Sequence, residues 1–403
     1  MKEPKIRIKG FSGEWKISEL GDFSTSFSGG TPTAGVSDYY GGDIPFIRSG
    51  EIHEDRTELF ITKSGLNSSS AKIVDKGTLL YALYGATSGE VAISKLEGAI
   101  NQAILAIFPN KSVDKRFLAH FLKSHKERIV SELLQGGQGN LSGTLVKGIP
   151  VSYPELSEQN AIANYIDSID AQISASTSRL ASLKQMKAAS LQAMFPQEGE
   201  TVPKVRFKGF EGEWKKVKLS ECLEISTERN LNNKYGVNEV LSVSDEEGVM
   251  NQIKLLGRSY AGKSVTNYKI LRTNQVVYTK SPLKAKPYGI VKVNKGETGI
   301  VSVLYAVYDA KECVSPDYIH YYFEPTFRIN NYLLPLINKG AKNTMNISDE
   351  VSLQGDIILP NTLEEQVRIV EFLQSLDRQI ALHIQRLEKL KQIKAACLDK
   401  MFV

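Results

Sequence analysis

The chain has only three cysteines among its 403 residues, Cys222, Cys313 and Cys397. Their wide spacing excludes a CxxC zinc pattern and a disulfide framework, and it fits a reducing compartment. No apolar run reaches the roughly 18 residues that a membrane-spanning helix needs. The opening segment MKEPKIRIKGF lacks the apolar core of a secretory signal, so a cytoplasmic location is expected. The histidines His53, His120, His125, His320 and His383 are not spaced as metal ligands. No Ser-His-Asp or paired-carboxylate arrangement stands out. The expectation is therefore a chain with no catalytic residue, no metal and no cofactor of its own. A net charge of +5 permits a nucleic-acid partner without demanding one.

What is present is a helix written twice. Glu158 to Phe195 and Glu365 to Phe402 align without a gap at an offset of 207 residues. Both carry apolar residues at alternating steps of four and three, which is the period of a coiled-coil seam. In the first the seam is Ile162, Ile166, Ile169, Ile173, Ser176, Leu180 and Leu183. In the second it is Ile369, Leu373, Leu376, Ile380, His383, Leu387 and Leu390. Each helix would be about 55 Å long at 1.5 Å per residue. Two matched seams in one chain are expected to pair with each other, antiparallel under a pseudo-twofold.

The repeat extends beyond the helices. Pro4 to Phe11 and Gly13-Glu14-Trp15-Lys16 recur as Pro203 to Phe210 and Gly212-Glu213-Trp214-Lys215, at an offset of 199. Each unit thus runs from an opening motif through a globular region into a long helix. This duplicates a domain and is not a solenoid. The equivalence places a site for the first opening motif beside the end of the second helix, so the chain ends should meet. In the globular regions short β signals alternate with Gly, Pro and Ser, and one helix is expected from Lys115 to Leu134. Lys72-Ile73-Val74, Gly77 to Tyr81 and Phe117 to Leu122 have counterparts in Lys269-Ile270-Leu271, Asn274 to Tyr278 and Tyr318 to Phe323. The framework repeats while the contents diverge. The division is 1–156 and 205–363 for the two globular domains, 157–196 and 364–403 for the helices, and 197–204 for the linker.

Gly257 to Ser264 matches the phosphate-loop pattern GxxxxGK[ST], but the β-leaning Val265 to Ile270 follows where a helix N-terminus is required. Asp43-Ile44-Pro45-Phe46 falls short of the Asn/Asp-Pro-Pro-Tyr/Phe signature of adenine methyltransferases. The stronger signal is charge. From Asn251 to Gly296 there are ten basic residues and no acidic one, interleaved with Tyr260, Tyr268, Tyr278 and Tyr288. That composition suits phosphate contacts. Arg258, Lys263, Lys280, Lys284 and Lys286 are the candidates there, with Lys234, Lys339, Lys342 and Asn343 elsewhere in the second region. The first region offers Arg48 and polar loops that carry Thr31, Tyr84, Thr87, Gln138 and Asn140, groups suited to hydrogen bonding with base edges.

The order of domains resembles the DNA specificity subunit of type I restriction–modification systems, across essentially the whole chain. Gly30-Thr31-Pro32, Asp43 to Ile47, Tyr84 to Gly89, and Pro154 or Pro360 shortly before Glu-Gln carry the resemblance. It implies an α+β fold in which two mixed α/β target-recognition domains are each followed by a long helix, the helices forming an antiparallel coiled coil. It implies a bipartite double-stranded DNA target. It also implies docking of two methyltransferase subunits and of restriction/translocase subunits, with S-adenosylmethionine, ATP and Mg held by those partners. The chain itself would be non-catalytic. Three alternatives remain: a specificity chain whose partner combines methyltransferase and nuclease, a P-loop ATPase, and a coiled-coil scaffold unrelated to DNA.

Overall fold

The computed structural model describes residues 3–133, 140–262, 264–283, 285–339 and 345–403. Two unbroken helices dominate the α+β chain, Leu156–Ala193 and Leu363–Lys400, each of 38 residues. Neither has a proline or glycine inside it to break the backbone ladder. Both are amphipathic, and among the described residues no helix is long and apolar enough to cross a membrane.

The chain divides into two compact units that are not continuous in sequence. One comprises residues 1–177 and 385–403, the other residues 178–384. Each long helix thus contributes to both units.

In the first unit, Ile162, Ile166 and Ile169 of the first helix share a core with Cys397, Met401 and Phe402 at the end of the second. Lys394 pairs with Asp170 at 2.5 Å. The early part of one helix lies against the late part of the other, so they run antiparallel. In the second unit Ile369 and Leu373 share a core with Leu191, Met194 and Phe195. There Lys187 pairs with Asp377 at 2.6 Å. Asp170 and Asp377, and Lys187 and Lys394, are the same positions of the two repeats, so each unit makes the same ion pair with the roles exchanged. Along the seams Ile162, Ile166, Ile169, Ser176, Leu183, Ile369, Leu373 and Leu376 are buried. Ile173, Leu180, Ile380, His383, Leu387 and Leu390 are half-buried.

The terminal Met-Phe of each helix anchors it in a core built by the other repeat. The Phe402 ring lies 5.4 Å from Phe117 and 6.1 Å from Phe121. The Phe195 ring lies 5.4 Å from Tyr318 and 6.4 Å from Trp214. The opening motifs join the same places. Ile6 N–H donates to Lys400 O at 2.9 Å, and Val205 N–H donates to Ala193 O at 2.9 Å. The expected meeting of the chain ends is realised in the first of these bonds.

Each opening motif continues into a strand that pairs antiparallel with the strand just before the long helix. Lys16–Glu19 pairs with Pro150–Tyr153, and Lys215–Lys218 pairs with Asp356–Leu359. The globular regions keep one antiparallel sheet in common. Its strand order is Ser24–Ser28, Ile104–Pro109, Leu79–Ala82, Val91–Ile93 in the first unit, and Leu223–Ile225, Ala306–Ala310, Val276–Tyr278, Val291–Val293 in the second. Gly77 and Asn274 hold equivalent left-handed turns before their strands, at φ 91° and 67°. Glycine and asparagine are the residues that adopt this region at least cost. The contents then diverge. Tyr40–Ile47 pairs with Phe60–Ile61 in the first unit, whereas a hairpin of Leu241–Ser244 and Gly248–Asn251 replaces that arrangement in the second.

The single helix expected over Lys115 to Leu134 is two, Lys115–Ser124 and Lys126–Leu133. His125 interrupts it. Its Nδ1 lies 3.0 Å from Phe121 O and 2.8 Å from Ser124 Oγ, and its ring stacks on Phe121 at 4.3 Å. A side chain competing for helical carbonyl groups is a common cause of such breaks.

Two outcomes follow. Phe402→Ala should lower the unfolding free energy by about 3–5 kcal/mol, measured by denaturant titration, because it empties a closed aromatic core. A chain circularly permuted by joining its ends and opening near Glu200 should fold with a helical circular-dichroism spectrum like that of the parent. Failure of that permutant to fold would contradict the junction seen at Ile6 and Lys400.

Candidate nucleic-acid interface

The common sheet of the first unit has one end at which its strands open into polar loops. Ser24–Ser28 leads into Gly29-Gly30-Thr31, Leu79–Ala82 leads into Tyr84 to Gly89, and Ile104–Pro109 is preceded by Asn101-Gln102-Ala103. Backbone hydrogen bonds hold these loops side by side: Gly29 N to Ile104 O, Leu83 N to Ala103 O at 2.8 Å, and Leu141 N to Leu83 O at 3.0 Å. Tyr84 bridges Asn140. Thr31, Tyr84, Thr87 and Asn140, far apart in sequence, are therefore brought to one end of the sheet. Gln138 lies outside the described residues.

The loops are firmly seated. Thr87 Oγ1 donates to Tyr84 O at 3.2 Å, and Ser88 Oγ donates to Leu83 O at 3.2 Å. Gly89 passes so close to the helix Lys126–Leu133 that an added Cβ would lie 2.5 Å from Val130 Cγ2. Glu90 is held by the Lys126 ammonium, which together with His53 keeps its carboxyl below the usual range against the effect of burial. Exposed Thr31 donates through Oγ1 to Gln102 Oε1. Gln102 belongs to the same surface but carries no motif in the sequence; only the fold reveals it.

Arg48 also reaches this end, because Asn101 N–H donates to Ile47 O at 3.2 Å. Its guanidinium is already engaged. Nε and Nη2 donate to Glu51 at 3.0 and 2.8 Å, and Nη2 donates to Glu58 at 2.8 Å. The hydrogen bond from Arg48 draws the Glu51 carboxyl down to about 2 despite its partial burial. Arg48 thus fixes the segment that follows its strand and is not a free cation.

The basic stretch of the second unit needs a larger correction. Its carboxylates are missing from the local sequence and arrive through space. Asp349 binds both Lys269 and Lys280. Asp245 binds Lys286 at 2.9 Å and Lys292 at 3.5 Å. Arg272 pairs with Glu228 at 2.7 Å, and Lys295 with Asp317 at 2.7 Å. Burial would raise the Asp349 and Asp245 carboxyls, but their paired ammonium groups prevail and hold both below the usual range. Lys286 is buried and also donates to Glu324 O at 2.9 Å. Lys280 and Lys286 are therefore structural cations. Lys263, Lys284, Lys342 and Asn343 lie outside the described residues, and Lys339 stands in the short strand Asn338–Lys339.

Other exposed cations of the second unit stand apart from these pairs. Lys234 sits over the Tyr235 ring at 5.4 Å, and Arg258 over the Tyr260 ring at 4.6 Å. Lys254 projects from the helix Gln252–Leu256. Arg229 is exposed and donates to Asn267 O at 3.0 Å. Among the described residues these four cations have no carboxylate within ion-pair reach. Cations resting on aromatic faces and open to solvent suit contact with a phosphate backbone. The resemblance of Gly257 to Ser264 to a phosphate loop does not extend to structure. Gly257 ends a five-residue helix with φ 77°, and a turn and the strand Lys269–Leu271 follow Ser264.

Known proteins bear on this arrangement. The sequence model of the type I restriction modification DNA specificity domain matches residues 12–185 and again 211–392. The MjaIX specificity subunit of a type I restriction enzyme from Methanocaldococcus jannaschii is 30% identical over 168 residues, 39% of this chain and 38% of that protein. The EcoR124I/EcoR124II specificity subunit from Escherichia coli is 23% identical over 166 residues, 39% of this chain and 41% of that protein. The matched stretches thus span less than half of either relative. The crystal structure of a type I restriction-modification system S subunit from M. genitalium superposes over 100% of this chain and 99% of its own, with a TM-score of 0.62 at 13% identity, a likeness of fold. Since the domain model covers most of the chain, in two consecutive copies that coincide with the repeats described above, the chain belongs to the type I restriction modification DNA specificity domain family.

Proposed function

We propose that this chain is the DNA-reading, non-catalytic subunit of a type I restriction–modification complex in the cytoplasm. The observation that carries the proposal is the pairing of two copies of the specificity domain with two different polar surfaces on one repeated framework. Residues 1–156 and 205–363 are the target-recognition domains, 157–196 and 364–403 the spacer helices, and 197–204 the linker. Thr31, Tyr84, Thr87, Gln138 and Asn140, joined by Gln102, face bases in one half-site. Lys234, Lys254 and Arg258 contact phosphates around the other, with Lys263, Lys284, Lys339, Lys342 and Asn343 as further candidates. Two methyltransferase subunits, which hold S-adenosylmethionine, and ATP- and Mg-dependent restriction subunits dock on the chain. It brings their chemistry to a double-stranded, bipartite target. The half-sites differ because the domain contents differ, and the helices set the number of unread base pairs between them.

The charge analysis separates two kinds of lysine. Lys254→Ala with Arg258→Ala should weaken binding of the assembled complex to every sequence. The salt dependence should flatten by about one unit of slope per lost phosphate contact. Lys286→Ala should instead lower the melting temperature and leave that slope unchanged. The opposite assignment of effects in a fluorescence-anisotropy salt titration would contradict the reading.

Exchanging residues 12–156 for the matching region of another family member should change one half-site and leave the second half-site and the spacing intact. Sequencing the methylated sites of a host that carries the exchange tests this. A change in both half-sites would sink the assignment of one domain to each.

A further inference from the structure

The second globular region leaves the framework and returns to it through a narrow neck. On the outgoing side the helix Leu219–Cys222 leads into the strand Leu223–Ile225. On the returning side the strand Ala306–Ala310 leads through Cys313 to the helix Pro316–Phe323. Lys311 N–H donates to Cys222 O at 2.9 Å, which closes the neck. Cys313 is exposed, and its Sγ lies 3.7 Å from the carbonyl oxygen of Glu221, the residue before Cys222. That carbonyl belongs to the peptide that carries Cys222, so the Cys313 sulfur lies against the Cys222 backbone.

We propose that Cys222 and Cys313 are an oxidisable thiol pair that a peroxide closes into an intrachain disulfide, stapling the neck of the second recognition domain. Cys313 reacts first, because it is exposed. Burial, with a further contribution from the Cys313 thiol, pushes Cys222 up to about 12, so it waits as a protonated thiol. The Cys313 thiolate attacks a peroxide oxygen. An S–O bond forms, the O–O bond breaks, and the hydroxide leaves as water after taking a proton. The Cys222 sulfur then attacks Cys313 Sγ. The S–S bond forms, the S–OH bond breaks, and the hydroxyl leaves with the Cys222 proton as a second water. Two thiols lose two electrons and one peroxide is reduced to two waters.

The position matters because the carbonyl of Cys313 is also a framework acceptor. Gln366 Nε2 donates to it at 3.1 Å from the first turn of the second long helix. The disulfide would join the neck at the point where the recognition domain meets that helix, enclosing the whole sheet between residues 222 and 313. A loop of that length is one whose closure strongly restricts the unfolded chain. The first unit has the same neck without the thiols. There Asn110 N–H donates to Phe23 O at 2.7 Å, and Gln159 Nε2 donates to Ser112 O at 3.1 Å, so Phe23 and Ser112 stand where the cysteines stand in the second. Oxidation would therefore stiffen one recognition domain and not the other.

The test treats the full chain with hydrogen peroxide, followed by alkylation, peptide mass mapping and thermal melting. The expected product has lost two hydrogens and links the peptides of Cys222 and Cys313, with Cys397 still alkylated after denaturation. The melting temperature should rise in the parent and stay unchanged in Cys313→Ser, an exposed substitution that leaves the fold intact, and in Cys222→Ala. Sulfinic acid at Cys313 with Cys222 still a thiol would overturn the proposal, as would a disulfide joining two chains through Cys313.

Discussion

An ion pair from a half-buried arginine to a buried glutamate, made twice, holds the repeated framework together. Arg7 donates through Nε and Nη2 to both carboxylate oxygens of Glu158 at 2.8 Å, and Arg206 does the same to Glu365 at 2.6 and 2.9 Å. Both glutamates are buried in the first turns of the long helices. A bidentate guanidinium–carboxylate pair fixes orientation as well as distance. Removing one partner would leave an uncompensated charge, at about 3–5 kcal/mol. The neighbouring glutamines complete the junction. Gln159 accepts from Asp114 N and Gln366 from Ser315 N, each joining a long helix to the loop before the domain's own helix. The Glu-Gln dipeptide thus ties together three elements that are distant in sequence.

This junction explains why the globular contents can diverge. The opening motif binds the start of its own repeat's helix through arginine and the end of the other helix through the backbone. The aromatic core that receives Phe402 or Phe195 completes the seat. The two repeats differ in the loops, hairpins and charges between the necks while both keep this junction. The proposed reading of two unlike half-sites requires that separation of frame from contents.

The frame was legible in the sequence because it is periodic and repeated. The 4-3 spacing, the absence of helix breakers and the fixed offset each follow from local rules, and the offset alone placed the chain ends together. The ion pairs could not be read in the same way. The stretch from Asn251 to Gly296 holds no carboxylate, yet Asp245, Asp349, Glu228 and Asp317 pair with six of its ten cations from outside. Charge counted along the chain overstated the charge exposed to a ligand. Arg48 stands in the sequence as a basic residue at a strand end, but Glu51, three residues away, already occupies it. Nothing local in the sequence distinguishes Gln102, which only the fold brings to Thr31. The His125 break was invisible because it arises from a side chain competing with its own helix.

The central claim is that two different domains on one frame read two different half-sites at a fixed separation. Single-molecule sequencing of methylated adenines in a host that carries the intact system tests it most directly. The account predicts one motif made of two short, unlike half-sites, separated by a constant number of unread base pairs, with a methylated adenine in each. A continuous recognition sequence, or two identical half-sites, would contradict it.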